Sequence, residues 1–254
     1  MSSEDVRAQF EPVARNYVTS HFHADSKRLA EVVDLVEPAP DDVVLDAATG
    51  TGNTGLALAP HVAWVIGLDL TPAMLEQAAR SAREAELRNV TWVLGDAAAL
   101  PFPAESFDVY ACRAAPHHFP DVRAALDEAW RVLRPGGRAA LVDCSPPPEI
   151  RDFMHRIEVA RDPTHVLSHT VDEWVELLSQ TGFEVERAER RELSSWRFDD
   201  WMGTMAVPEQ RARELAAAIE SAPPPVREQL APGRRDGELW HSYWHALIRA
   251  RKPG

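Results

Sequence analysis

From Val43 onward, short runs of β-branched and apolar residues alternate with longer stretches of helical period, which restricts the chain to repeated βα units around a parallel sheet. Strands are expected over residues 43–48, 63–70, 90–95, 107–113 and 138–144. These runs are almost continuously apolar, as strands covered on both faces require. Helices are expected between them: a short one containing residues 55–59, one over 72–87 with proline in its first turn, and one over 122–133 with a stripe of Val122, Leu126, Ala129, Trp130 and Leu133. Arg134-Pro135-Gly136-Gly137 ends that last helix. Pro146-Pro147-Pro148 cannot continue a central strand, so a different region starts there. It is expected to hold helix and loop over 149–170, a helix over 171–180, and a strand over 183–191 with Phe183, Val185 and Arg187 on one side. Helical or irregular structure over 192–222, a loop at 222–225 and a closing strand over 239–250 complete it.

The first strand runs into Asp46-Ala47-Ala48-Thr49-Gly50-Thr51-Gly52-Asn53-Thr54-Gly55. Gly50, Gly52 and Gly55 fit a dinucleotide-binding G-x-G-x-x-G turn, and Asp69 lies 19 residues past Gly50, near the distance of a ribose-binding acid. A nicotinamide cofactor therefore has a claim. Three surrounding features point instead to a sulfonium. Asp46, at the strand end, suits a positive centre and repels a pyrophosphate. Gly95-Asp96-Ala97 closes the third strand where an adenine amino group is within reach, so a nucleoside would lie between Asp69 and Asp96. No Tyr-x-x-x-Lys pair surrounds Tyr17, Tyr110 or Tyr243. On these residues both cofactors stay open.

Composition narrows the partners. Lys+Arg number 27 against 40 Asp+Glu, a net charge of −13, whereas a protein built on phosphate contacts needs a basic face. Nucleic acid is thus not expected as substrate, and with only Lys27 and Lys252 as lysines a catalytic lysine has few candidates. Cys112 and Cys144 make neither a disulfide framework nor a zinc pattern, and no metal is expected. The N-terminus lacks a secretory signal and no run of about 18 apolar residues occurs, so a soluble cytoplasmic protein without a membrane partner is expected.

The ordered set Val44-Leu45-Asp46, Thr49-Gly50-Thr51-Gly52, Gly67-Leu68-Asp69-Leu70-Thr71-Pro72-Ala73-Met74-Leu75, Gly95-Asp96-Ala97, Leu100-Pro101-Phe102-Pro103, Ser106-Phe107-Asp108 and Arg131-Val132-Leu133-Arg134-Pro135-Gly136-Gly137 resembles the class I S-adenosylmethionine-dependent methyltransferases. Within them it is most similar to the group of ubiquinone and menaquinone biosynthesis enzymes. The resemblance covers residues 43–145. It implies an α/β Rossmann-like fold with a seven-stranded, mostly parallel sheet, helices on both faces and an antiparallel last strand. It also implies one domain: a helical cap over 1–40, a cofactor-binding core over 41–145, acceptor-side insertions over 146–235 and a closing strand over 236–254. One departure stands out. The family's first turn glycine falls on Ala48, where a methyl is tolerated provided the position does not need positive φ.

The same resemblance assigns roles. Asp69 accepts both ribose hydroxyls, Asp96 and Ala97 meet the adenine edge, and Leu70 and Met74 flank the adenine ring. Asp46, Ala48, Thr49, Gly50 and Gly52 form the turn under the cofactor, Arg113 meets its methionine part, and Tyr17 closes over it, with Ser20, His21 and His23 on the same segment. Asn53 caps the following helix or adds a hydrogen bond. His117 and His118 follow the fourth strand where donor and acceptor meet, and His165 with Arg161-Asp162 lies on the expected lid. Histidine serves as a base near neutral pH, so His118, His117, His165 and Asp162 are the catalytic candidates. Trp196, Phe198 and Trp201 form either core or an apolar acceptor site. The implied reaction is in-line methyl transfer to oxygen, nitrogen or carbon of a small molecule. The alternatives are a cofactor-binding protein that does not methylate and, behind it, a dehydrogenase.

Overall fold

The computed structural model describes residues 2–254 other than Thr19, His21 and Phe22. His21, one of the N-terminal candidates, thus lies outside the described residues. The chain opens with helices α1 (Ser3–Phe10), α2 (Ala14–Val18) and α3 (Ser26–Val36). The alternating region comprises β1 (Val43–Ala47), α4 (Asn53–Leu58), β2 (Trp64–Asp69), α5 (Pro72–Glu84), β3 (Val90–Leu94), β4 (Phe107–Arg113), α6 (Val122–Val132) and β5 (Leu133–Cys144). Beyond it come α7 (Arg151–Arg161), α8 (Val171–Thr181), β6 (Glu184–Arg197), α9 (Phe198–Thr204), α10 (Glu209–Glu220), α11 (Pro224–Leu230), β7 (Gly233–Arg235) and β8 (Glu238–Arg251).

Among the described residues one sheet runs in the order β3-β2-β1-β4-β5-β8-β6, with β7 paired to β8. Strands β1 to β5 pair in parallel and β8 lies antiparallel between β5 and β6. Alternate residues feed opposite faces. Leu45, Tyr110 and Cys112 pack with α6 and α8, whereas Val44, Val109 and Ala111 pack with Val32, Leu35 and Val36 of α3. Both faces are therefore covered, which is why the strand sequences lack polar alternation. The order reverses between β1 and β4, and the crevice at their carboxyl ends is where such a sheet takes its ligand.

One wall of that crevice comes from elsewhere. Cys144, the last residue of β5, pairs with His245, so residues 238–244 of β8 continue past the end of the parallel strands. They carry the far half of β6 with them, Trp196 pairing with His241. Helices α7 and α9 to α11 cover this extension in a third apolar cluster with Trp196, Trp201 and Tyr243.

Four expectations are corrected. The sheet has an eighth strand, because Asp236-Gly237, both at positive φ, close a two-residue hairpin between β7 and β8. Strand β6 continues to Arg197 rather than ending near 191. Register shifts at Val185/Arg187 and Leu193/Trp196 break its two-residue period, and Arg187 falls out of phase with Val185. Residues 224 and 225 open α11 instead of extending a loop, since proline is accepted in a first helical turn. Strand β5 starts at Leu133 rather than Arg138; Arg134–Gly137 follows the end of α6 as expected but forms an irregularity within the strand, between the Phe107↔Leu133 and Val109↔Arg138 pairs.

Candidate active site

The turn after β1 is held by two buried carboxylates. Asp46 Oδ2 accepts from the Thr49 hydroxyl at 2.5 Å and from the Gly55 amide at 2.8 Å, bending the chain back over the strand end. Burial pushes the Asp46 carboxyl up to about 6 despite these bonds. Asp69, at the end of β2, accepts from the Gly50 amide at 2.8 Å and from the Thr71 amide at 2.9 Å. Burial raises its pKa as well, against the Thr71 and Gly50 bonds.

Ala48 adopts φ 52°, so the position does need the left-handed region and the methyl there is strained. The expectation that Ala48 is simply tolerated is corrected accordingly. Gly50 also has positive φ, and a Cβ there would meet nothing within 4 Å, leaving its backbone open to a ligand. Gly52 differs. At φ 84° its absent Cβ would lie 2.7 Å from Trp92 and 2.9 Å from Ala78, so Gly52 serves packing beneath the turn rather than the cleft.

A cleft of about 220 Å³ opens above this turn. Asp46, Ala48, Thr49, Gly50, Asp69 and Leu70 border it from the turn and β2, and Met74, Asp96, Ala97 and Arg113 from the neighbouring elements. Helix α1 closes it: Val6 and Phe10 line the cleft, and the Ser3 hydroxyl donates to Asp96 Oδ2 at 2.6 Å. Asp96 Oδ1 accepts from the Ala98 amide. Arg113 ties core to cap, its Nε donating to Thr54 Oγ1 at 2.9 Å and its Nη2 to the His23 carbonyl at 2.7 Å. Burial lowers Arg113 to about 10.

A second cavity, about 310 Å³, lies beyond the end of β5. Trp196, Trp201 and Tyr243 line it together with Arg161, Glu158 and His117. Arg161 stacks 5.0 Å over Trp201 and donates to Glu158, whose Oε1 accepts from the Tyr243 hydroxyl at 2.5 Å. Phe198 stays in the core. The two cavities share Phe10, Tyr17, His23, Ala114 and His118. Tyr17 donates to Met205 Sδ at 2.8 Å, and its ring lies edge-on to Phe10.

The histidines differ in setting. His118 Nδ1 lies 3.2 Å from both the carbonyl oxygen and the hydroxyl of Thr164. The Thr164 hydroxyl donates to Asp162 Oδ1 at 2.6 Å, so Nδ1 carries the proton and Nε2 keeps its lone pair. Asp162 Oδ2 lies 3.8 Å from that Nε2. Burial, with the charge of neighbouring His117, pushes His118 below its ordinary value and favours the neutral ring. His117 Nδ1 lies 2.5 Å from Asp143 Oδ1. Burial works against a charge on His117, but Asp143 and Cys144 outweigh it and hold its pKa well above the ordinary value. His165, 4% exposed, and Asp162 border neither cavity. His165 lies behind His117, ring centroids 5.3 Å apart, with Nε2 3.3 Å from Ser168 Oγ.

Residues 44–137 match the methyltransferase domain family. Over 225 residues the chain is 33% identical to YcgJ, an uncharacterized methyltransferase of Bacillus subtilis strain 168, a match spanning 86% of this chain and 87% of YcgJ. The chain belongs to the class I S-adenosylmethionine-dependent methyltransferases. The crystal structure of YcgJ gives a TM-score of 0.80 at 30% identity over 90% of this methyltransferase and 99% of that chain. A candidate methyltransferase of Bacillus halodurans C-125 gives 0.84 at 32%, over 90% and 100%. The methyltransferase is also 42% identical over 131 residues to the demethylmenaquinone methyltransferase of Thermus thermophilus, over 50% of this chain and 59% of that one. Its cofactor is S-adenosylmethionine, which removes the nicotinamide alternative. No helix among the described residues is long and apolar enough to cross a membrane.

The methyltransferase's cleft fits that cofactor. Asp69 spends one lone pair of each oxygen on backbone amides and keeps acceptor capacity for a diol, and Gly50 presents bare backbone. Missing from the sequence-based candidates were Ser3, Val6 and Phe10. Their signal was present: a Ser2–Asp5 capping box opens α1, and Val6 and Phe10 recur on one face. Tyr243 and Cys144 had no comparable signal.

Proposed function

We propose that this methyltransferase alkylates a small-molecule acceptor held in the 310 Å³ cavity, with His118 at the boundary between acceptor and cofactor. The observation that carries this reading is the shared wall: a ligand in either cavity touches Phe10, Tyr17, His23, Ala114 and His118. The volume lies at the small end of the range of roughly 300 to 1,000 Å³ for ligand pockets, which favours a metabolite over a polymer. The net charge of −13 argues against nucleic acid in the same direction. Trp196, Trp201 and Tyr243 suit an apolar or aromatic body, with the reacting group directed toward His118.

When bound, the cofactor supplies a methyl group already activated by its sulfonium. What remains for the chain is positioning, which can supply up to roughly 7 to 11 kcal/mol of barrier lowering. Asp69 would take the ribose hydroxyls, Asp96 and Ala97 the adenine edge, and Leu70 and Met74 the two ring faces. The open backbone at Thr49 and Gly50 and the end of β4 at Arg113 would take the methionine part. Tyr17 and Phe10 would exclude water from above. His118 Nε2 would accept a proton from an acceptor that needs to lose one, and Asp162 would stabilise the resulting charge. In this reading Asp162 is a positioning residue, and His117, paired with Asp143, is not assigned the proton. His165, which lies behind His117 and borders neither cavity, is given no part in proton transfer in this reading.

The test is release of S-adenosylhomocysteine when the protein, S-adenosylmethionine and a fractionated cell extract are combined, with mass analysis for a gain of one methyl group. Release with a small-metabolite fraction is expected. Release only with a nucleic-acid or protein fraction, or cofactor binding with no methylated product in any fraction, would overturn the reading.

A further inference from the structure

Three residues at the second cavity have chemistry the methyl-transfer geometry leaves unused: His117 and Cys144 border it, and His165 lies behind His117. His117, Cys144 and His165 each present a ligand atom, and these atoms lie within 4.8 Å of one another. They come from the turn after β4, the end of β5 and the loop after α7, which is why no sequence spacing reveals them. We propose that they form a zinc site whose fourth position faces the acceptor cavity and takes a thiol acceptor as its thiolate. The thiol assignment rests on this cavity being the acceptor site; the metal site itself does not.

The donor set is the first support. Two imidazoles and one thiolate are borderline-to-soft ligands that select Zn²⁺ over Mg²⁺ or Ca²⁺, and three protein ligands with an open position is the arrangement of a catalytic zinc. Distances are compatible. Zn–N of about 2.0–2.1 Å and Zn–S of about 2.3 Å place tetrahedral ligand atoms roughly 3.3 to 3.6 Å apart. Closing from the present separation asks for about 1 Å of side-chain movement.

The surroundings are built for a cation. His117 Nδ1 is taken by Asp143 at 2.5 Å, which fixes Nε2 as the ligand atom and supplies the carboxylate–histidine partner that metal-ligating imidazoles carry. Asp143 is 1% exposed, and its Oδ2 is buried without a hydrogen-bond partner among the described residues. Ser168 Oγ lies 3.0 Å from Cys144 Sγ and 3.3 Å from His165 Nε2, so one hydroxyl bridges sulfur and imidazole and is the group a metal ion would displace. His117 and Cys144 border the cavity whereas His165 lies behind it, which directs the vacant vertex outward. The His118 ring, 4.0 Å from that of His117, marks the adjoining cofactor cleft.

The chemistry balances. An acceptor R–SH loses its proton to solvent as sulfur coordinates the metal, since a coordinated thiol is deprotonated. A sulfur lone pair then forms the S–CH₃ bond while the methyl–sulfonium bond breaks, its electron pair returning to the cofactor sulfur to give S-adenosylhomocysteine. The neutral thioether R–S–CH₃ is a weaker ligand and leaves.

The experiment loads full-length protein, dialysed against a chelator, with Co²⁺ and separately with Zn²⁺. One zinc per chain is expected, and with Co²⁺ the intense visible bands of a tetrahedral site plus a thiolate-to-cobalt charge-transfer band. Cys144→Ser should abolish that band and Cys112→Ser should leave it, while His165→Gln should weaken zinc binding at least tenfold. S-adenosylhomocysteine binding, followed calorimetrically, checks that each variant is folded. Absence of stoichiometric zinc, or a charge-transfer band that survives Cys144→Ser, overturns the site. Dithiothreitol serves as the thiol probe with S-adenosylmethionine: zinc-dependent methylation supports the thiol assignment, and stoichiometric zinc with no thiol methylation overturns that assignment while leaving the metal site.

Discussion

Replacing Asp69 by asparagine separates the two duties of that side chain. In the native cleft Oδ2 accepts from the Gly50 amide at 2.8 Å and Oδ1 from the Thr71 amide at 2.9 Å. Asparagine keeps one acceptor oxygen and turns an NH₂ toward the other amide. That amide is left unsatisfied at a cost of about 1 to 3 kcal/mol, partly offset because a buried charge disappears. The effect on the cofactor is larger and has a clear sign. Hydrogen bonds to a charged group contribute about 1.5 to 3 kcal/mol against about 0.5 to 1.5 for neutral pairs, so two ribose bonds lose roughly 2 to 3 kcal/mol together. That corresponds to an affinity for S-adenosylhomocysteine weaker by about 30- to 150-fold. Calorimetric titration gives the dissociation constant, and a thermal melt on the same sample gives the stability. A folded Asp69→Asn protein that binds within about threefold of the wild type would remove Asp69 from the ribose site.

Three further substitutions probe the turn and the junction. Ala48→Gly relieves a left-handed alanine strain of about 1 to 2 kcal/mol while adding about 0.4 to 1 kcal/mol of unfolded-state entropy. The net is a stabilisation of about 0.5 to 1 kcal/mol, or a melting temperature higher by roughly 1 to 4 °C; a lower one would mean that the methyl's packing outweighs its strain. His118→Ala should slow methylation of a proton-bearing acceptor by about 100-fold or more while leaving S-adenosylhomocysteine affinity nearly unchanged, and parallel losses in both would make it a cofactor contact rather than a base. Asp46 has a folded pKa of about 6, above the ordinary value of 3.8, so it contributes stability that is present below the unfolded value and lost as pH rises through about 6. The loss is about 3 kcal/mol, as an order of magnitude. Urea unfolding at several pH values should therefore show Asp46→Asn gaining on the wild type between about pH 4 and pH 7, and parallel profiles would refute the burial of a charge there.

The cofactor half of the molecule was legible because its parts are local. Each strand end carries its own side chain into the crevice, so Asp46, Asp69, Asp96 and Arg113 could be placed once the strands of the parallel sheet were found. What stayed hidden there was backbone geometry. The left-handed φ of Ala48 follows from the pull of Asp46 on Thr49 and Gly55, and the role of Gly52 follows from Trp92 on another strand. Neither is visible in the residues of the turn itself.

The proposed acceptor half was hidden for a different physical reason. Phe10, His117, Cys144, Trp196 and Tyr243 meet in one cavity, yet no helical or strand period relates them. Their meeting depends on the register of β8, which continues β5's neighbour past Cys144 and brings residues 238–244 over the crevice. It depends equally on β6, whose two register shifts scramble the alternation that would have announced a strand through Trp196. The histidine cluster obeys the same rule: three segments, each ordinary alone, bring His117, Cys144 and His165 together because β4 and β5 end side by side and the Val166 amide donates to the His117 carbonyl at 2.8 Å. A cleft assembled from consecutive strand ends can therefore be read along the chain, whereas the second cavity depends on how far the antiparallel extension of β8 and β6 runs past β5. If this cavity is the acceptor site, as proposed, specificity should be set by Trp196, Trp201, Trp240, Tyr243 and His245 together with Cys144. On the proposed reading, a change in β8 register is expected to alter the acceptor while leaving the cofactor cleft intact.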